Sequence, residues 1–128
     1  MAGEPAKTAD HVREVYDKMY FNNENGLAGN EDEGQMSAWY VLSSMGFYQV
    51  EPASTEFWFG APNFPQMDVK VKGGVFSITA EGLDAKNPYI QSVELNGEPY
   101  NKGYIDFKDI EKGGSLKFVM GSSSAKWY

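Results

Sequence analysis

The chain reads as an α+β fold, two helices followed by about seven strands, and three observations carry that reading. Apolar residues recur at helical spacing over the first third of the chain. At Gly46 the period changes from helical to alternating. From there on, short alternating runs are separated by turn residues, which argues for strands in an antiparallel, sandwich-like arrangement. Two domains are expected on this basis, a helical pair over residues 1–46 and a β region over residues 47–128.

The first helix is expected over residues 8–20, with Thr8 as N-cap. Val12, Val15, Tyr16, Met19 and Tyr20 fall on one stripe, and Asp10, Arg13, Glu14, Asp17 and Lys18 face away. His11, the only histidine, sits in the first turn on a mixed face, where a solvated or capping role suits it. With no Ser or Cys partner in view it supports no catalytic triad. Met1, Ala2 and Gly3 read as a start placed ahead of an ordinary helix, and the chain as a truncation of something longer.

FNNENG at residues 21–26 is a polar turn between the helices. An EF-hand register that puts Gly26 at the sixth position leaves Phe21 at the first, with no side-chain oxygen, and Asp32 where a bidentate Glu belongs. The turn is therefore read as a helix–helix corner that presents its loop to a pocket.

The second helix is expected over residues 32–45. Asp32 is placed to cap it, with Gln35 three residues on completing a capping-box spacing. Met36, Trp39, Tyr40 and Ser43 follow helical spacing, and Ala38, Val41, Leu42 and Met45 widen the apolar surface. Gly46 stands where a left-handed C-terminal residue is wanted. Three consecutive acids, Glu31, Asp32 and Glu33, thus meet a positive helix N-terminus beside glycines that let backbone approach a ligand. A capped helix start with spare surface acids fits the same residues.

Strands are expected at FYQV (47–50), EFWF (56–59), MDVKVK (67–72), VFSITA (75–80), IQSVEL (90–95) and SLKFVM (115–120). Gly73 and Gly74 form a two-residue turn between the third and fourth of these. Asn96-Gly97 joins the 90–95 strand to a short arm at Glu98, Pro99 and Tyr100, and Pro99 confines that arm to an edge. Residues 104–110 read as a strand end and a single helical turn.

Composition bounds the function classes. The net charge of −7 supplies no basic stripe for a phosphate backbone, which argues against nucleic acid. No run approaches the roughly 18 apolar residues of a membrane span, and no secretory leader is evident. The absence of cysteine excludes a disulfide framework and a thiolate metal site. Aromatics at 15% suit β structure and sugar-stacking surfaces alike.

The run GNEDxGQMSAWYVxSxxGFYxV at residues 29–50 resembles the signature near the C-terminus of glycoside hydrolase family 92, the calcium-dependent exo-acting α-mannosidases. APNF at 61–64, VELNG at 93–97, DIEKGGSL at 109–116 and Met120-Gly121 with the polar tail to Trp127 resemble that family's closing β region. The resemblance runs from about Thr8 onward and amounts to the last part of a family member. It implies that the two helices end an (α/α)6 barrel. It also implies an enzyme that removes terminal α-linked mannose, α-1,2-linked by preference, from mannose-containing glycans by inversion.

An inverting glycosidase needs a general acid and an opposing general base about 6.5–9.5 Å apart. The resemblance places the base aspartate at Asp32, and a helix N-terminus favours its ionised form. Many family members carry a second Asp where this chain has Asn30, which can hold water or a sugar hydroxyl but cannot accept the proton. Glu31, between them, is a candidate substrate contact. The general acid and the calcium ligands are implied to lie upstream, so no metal ligand is assigned here and the fragment alone is expected to be inactive. A periplasmic or secreted bacterial location is also implied. Self-association through Tyr16, Trp39 or Tyr40 is expected of a helical face exposed by truncation. Two other readings stand beside the enzyme: a structural closing domain without a ligand site, and a carbohydrate-binding β module with Trp58 or Trp127 as stacking platform.

Overall fold

The computed structural model describes residues 3–128, so the reading of Met1 and Ala2 as an added start lies outside the described residues. The order of elements is α1 (Pro5–Met19), a single 3-10 turn (Asp32–Gly34), α2 (Gln35–Ser44), β1 (Phe47–Tyr48), β2 (Glu56–Phe59), β3 (Gln66–Val71), β4 (Gly74–Glu81), β5 (Tyr89–Leu95), β6 (Glu98–Pro99), β7 (Tyr104–Asp106), α3 (Phe107–Glu111) and β8 (Gly114–Gly121). This is the α+β architecture expected.

Helix α1 begins three residues before Thr8. Glu4 occupies the cap position without a side-chain cap bond and Pro5 takes the first turn. The reason is that proline has no N–H to satisfy there and its φ is already helical. The Thr8 hydroxyl instead donates back to the Glu4 carbonyl at 3.3 Å. The two helices run antiparallel. Near the end of α1, the Tyr20 hydroxyl reaches the Met36 carbonyl at the start of α2. One turn earlier, Tyr16 packs on Trp39 and Tyr40 at 5.7 and 5.6 Å between ring centres.

Arg13 departs from the face expected of it, and Tyr16, on its expected apolar stripe, departs from the exposure expected for self-association. Arg13 is half-buried, and its guanidinium donates to the carbonyls of Pro62 at 3.2 Å and Pro88 at 3.0 Å. A long aliphatic stem can cross apolar surface to reach such acceptors, so a charged residue on a helix need not face water. Tyr16 is 6% exposed and its hydroxyl donates to the Ala61 carbonyl at 3.2 Å. It is therefore closed off as an association surface. The apolar side chains that the helical end does expose are Met19, Phe21 and Val41, while Trp39 and Tyr40 are half-buried.

The strands form two sheets. The smaller has the order β1-β2-β7, antiparallel throughout. The larger has the order β3-β4-β8-β5-β6 and is mixed, because β4 and β8 pair in parallel, Phe76 opposite Gly114 through Glu81 opposite Val119. An all-antiparallel region was expected from alternation, which reports the pleat but not the strand direction. Here two hairpins leave a gap between β4 and β5, and β8 returns to fill it.

The β3–β4 turn is Lys72-Gly73, with Gly74 already paired to Val71, one residue earlier than Gly73-Gly74. The β5–β6 turn is the expected Asn96-Gly97, with φ of 54° and 83°, the mirror-image turn that matches strand twist. β6, with Pro99, is an edge strand.

The inner faces of both sheets share one core. Phe76, Ile105, Leu116 and Phe118 are fully buried, joined by Phe47, Ile78, Ala80 and Val93. Phe59 of the small sheet meets Phe118 of the large one edge-on at 5.3 Å. Gly46 links α2 to this core with φ of +97°, and a Cβ there would stand 2.7 Å from the Phe118 ring. Its left-handed conformation and its contact both exclude a side chain, as the helix-end reading required.

Candidate functional site

The acidic loop lies between the close of the helix–helix corner and the start of α2. The corner is tied by an isolated bridge between Tyr20 and Leu27 and by the Phe21 amide on the Gly26 carbonyl at 2.9 Å. Ala28, Gly29 and Asn30 then run exposed, Glu31 is half-buried, and Asp32 and Glu33 are exposed. None of these residues is buried in mid-helix.

The cap is not built as expected. Asp32 opens a 3-10 turn, its carbonyl accepting the Gln35 amide. Glu33 (φ 59°, ψ 17°) and Gly34 (φ 75°, ψ 15°) are both left-handed, and Gly34 occupies the cap position of α2 without a side-chain cap bond. Neither Asp32 nor Gln35 therefore makes a capping box. The two left-handed residues rotate the chain between Asp32 and the helix, which takes the Asp32 carboxylate out of reach of the helical amides. Glu31 supplies the acceptor instead: both of its carboxylate oxygens lie 3.1 Å from the Ser37 amide in the first turn. A carboxylate six residues before its amide has no capping-box spacing, so sequence pattern alone does not reveal it.

Left-handed non-glycine residues are strained and gather at functional sites, and Glu33 is one of three among the described residues. Tyr20 closes the other side of the loop. Burial raises the pKa of its phenol, and the nearby Glu31 carboxylate adds to the push, so it stands as a neutral hydroxyl bonded to the Met36 carbonyl at 3.0 Å.

A groove of about 550 Å³ runs beside the corner, walled by Tyr20, Asn23, Glu24, Ser37, Tyr40 and Val41. Asn30, Glu31 and Asp32 are not among its walls. The structure thus gathers the three candidates on one loop and commits Glu31 to the helix start. Asp32 remains as an exposed carboxylate outside the cap. His11 is exposed and 3.6 Å from Glu14, remote from this chemistry. Among the described residues no group of three or more acidic or histidine side chains is placed to hold a metal ion. No helix among the described residues is long and apolar enough to cross a membrane.

A family model described as the glycosyl hydrolase family 92 catalytic domain matches residues 1–122. A curated protein from Arthroderma benhamiae, described as an uncharacterized secreted glycosidase, is 28% identical over 98% of this chain and 17% of its own length. Among solved structures, a family GH92 α-mannosidase from Bacteroides thetaiotaomicron in complex with mannoimidazole superposes with a TM-score of 0.90 at 36% identity, over 97% of this chain and 16% of that one. A family GH92 inverting mannosidase from the same organism gives 0.86 at 38% identity, over 97% of this chain and 17% of that one. The chain therefore spans about a sixth of the length of the relatives it matches.

Proposed function

This chain belongs to glycosyl hydrolase family 92, and on that premise we propose that it is the C-terminal part of an enzyme that removes terminal α-linked mannose, α-1,2-linked by preference, from glycans with inversion. The observation that carries the reading is the disposition of the acidic loop. Glu31 closes α2, and Asp32 is left exposed and free of the cap, inside a segment similar to a mannosidase described as inverting.

In this mechanism Asp32 is the general base. Its carboxylate draws a proton from a water on the face of the sugar opposite the leaving group, while a general acid about 6.5–9.5 Å away protonates the departing oxygen. The acid is assigned to another part of the enzyme, as the family resemblance implies. Asn30 holds the water or a sugar hydroxyl by its amide. Glu31 keeps the loop in register, and any contact it makes to substrate is secondary to that.

Calcium, which the family resemblance implies, does not fit the residues of this chain, which gather no cation ligand set among those described. We assign its ligands to the remainder of the enzyme and route no step through it. A secreted location accords with the description of the fungal relative.

The test is the Asp32→Asn variant of the full enzyme, assayed on an aryl α-mannoside and on α-1,2-, α-1,3- and α-1,6-linked dimannosides. Turnover should fall by about 10²–10⁴-fold, the usual range for loss of a general base, with the circular dichroism spectrum unchanged. Wild-type rates would end the assignment of Asp32. Faster cleavage of another linkage would end the α-1,2 preference.

A further inference from the structure

A cavity of about 200 Å³ lies between the helix pair and the small sheet, outside the acidic loop. Its floor comes from the register of that sheet. Tyr48 pairs with Trp58, and Trp58 with Tyr104, so the three aromatics form one cross-strand row, on the face opposite the buried Phe47, Phe59 and Ile105. The Trp58 and Tyr104 rings lie 5.2 Å apart. Helix α2 brings Trp39 over the same space, 6.5 Å from Tyr48. Trp39, Tyr48 and Trp58 line the cavity, joined by Phe47 and Phe59 at the end of the sheet, while Tyr104 backs Trp58 from outside the lining; the polar wall comes from Glu4, Thr8 and Ser43.

This lining narrows the ligand to a neutral ring. Flat aromatic faces attract either another aromatic ring or the C–H face of a pyranose, whose weakly positive hydrogens meet the negative π face. One carboxylate and two hydroxyls at the wall offer acceptors and donors that a purely apolar ligand would leave unpaired, at a cost. No lysine, arginine or histidine lines the cavity among the described residues, which disfavours phosphorylated, sulfated or carboxylated ligands. The volume admits a single six-membered ring with its substituents, not a chain of them.

We propose that this cavity binds one neutral pyranose ring, stacked on Trp58 beneath Trp39, with its hydroxyls on Glu4, Thr8 and Ser43. The choice of a sugar over another neutral ring rests on the family membership; the stacking geometry does not.

The three tryptophans make the test direct. Trp39 and Trp58 line the cavity and Trp127 does not. In a titration of the isotopically labelled 128-residue chain with methyl α-D-mannopyranoside, followed by the indole N–H signals, Trp39 and Trp58 should shift saturably and Trp127 should stay in place. Mannitol, with the same hydroxyls and no ring face, should shift none of them.

Trp58→Ala should weaken binding by about tenfold or more, the loss of one stacked face. Because that change can also disturb the sheet, Thr8→Val, an exposed near-isosteric substitution, serves as the second variant and should also weaken the saturable shift. No saturable shift, a shift confined to Trp127, equal shifts with mannitol, or an unaltered titration in both variants would each overturn the proposal. The hydrolysis assay of the full enzyme reads Asp32, whereas this titration reads Trp39 and Trp58, so failure of one is told apart from failure of the other.

Discussion

The Glu31 carboxylate closes helix α2 by meeting the Ser37 amide with both oxygens at 3.1 Å, while the next residue, Asp32, is separated from the helix by left-handed Glu33 and Gly34. A capping acid and a candidate base thus stand side by side in the chain with different tasks. Glu31→Ala should lower stability by about 1 kcal/mol, the usual worth of a helix cap, measured by urea unfolding. In the full enzyme it should also reduce turnover by loosening the loop, and Glu31→Gln, which keeps an acceptor oxygen, should restore much of both.

Asn30 sits two residues before Asp32 on the exposed part of the loop. Asn30→Ala in the full enzyme should cost about 1–3 kcal/mol of transition-state stabilisation, that of one positioning hydrogen bond, well short of the loss on removing the base. Steady-state kinetics on an aryl α-mannoside would rank the two variants. A larger loss for Asn30→Ala than for Asp32→Asn would exchange their roles.

Arg13 ties α1 to two separate β connections through the carbonyls of Pro62 and Pro88. Burial lowers the pKa of its guanidinium, opposed by Tyr16, Asp17, Tyr89 and Asp10, but the group stays charged at neutral pH. Arg13→Met keeps the stem and leaves both carbonyls without their donor. A loss of about 2–3 kcal/mol is expected, read as a shift in the urea midpoint with an unchanged slope. A single nitrogen, Nη2, donates to both carbonyls, so lysine, whose ammonium also carries several donors on a somewhat shorter stem, should recover part of the loss.

Tyr16 couples folding to alkaline pH. Burial holds its hydroxyl un-ionised well past the usual phenol range, whereas in the unfolded chain it ionises near pH 10. Above that point the unfolded state carries fewer protons than the native one, so stability falls as pH rises, by up to about 1.4 kcal/mol per unit. Below pH 10 the contribution is fully present. Tyr16→Phe should be less stable at neutral pH, where the Ala61 carbonyl loses its donor, and should show a shallower decline above pH 10. Unfolding curves at pH 8 to 11 would check both.

Met19, Phe21 and Val41 leave an exposed apolar patch at the corner of the helix pair. If the isolated chain self-associates, this patch rather than Tyr16 is the surface expected to mediate it. Sedimentation should then show Phe21→Ser and Val41→Ser reducing association, while Tyr16→Phe leaves it unchanged.

Local chemistry was enough to read much of this chain. The strands at 56–59 and 90–95, the Asn96-Gly97 turn, the edge position of Pro99 and the left-handed Gly46 follow from alternation and backbone preference, which depend on neighbours in sequence. The family could be read from the run at residues 29–50, because that run packs many rare residue types into fixed spacing. What the sequence could not decide was everything set by partners distant along the chain. Strand direction at β4 and β8 depends on which gap the last strand fills, and alternation is blind to it. Arg13 turned inward because two carbonyls 49 and 75 residues away came within its reach. Asp32 has the residue type and spacing of a helix cap, yet two left-handed residues after it passed that task to Glu31. The row of Tyr48, Trp58 and Tyr104 exists only once three strands are in register. In each case the deciding contact joins groups that sequence separates and folding brings together.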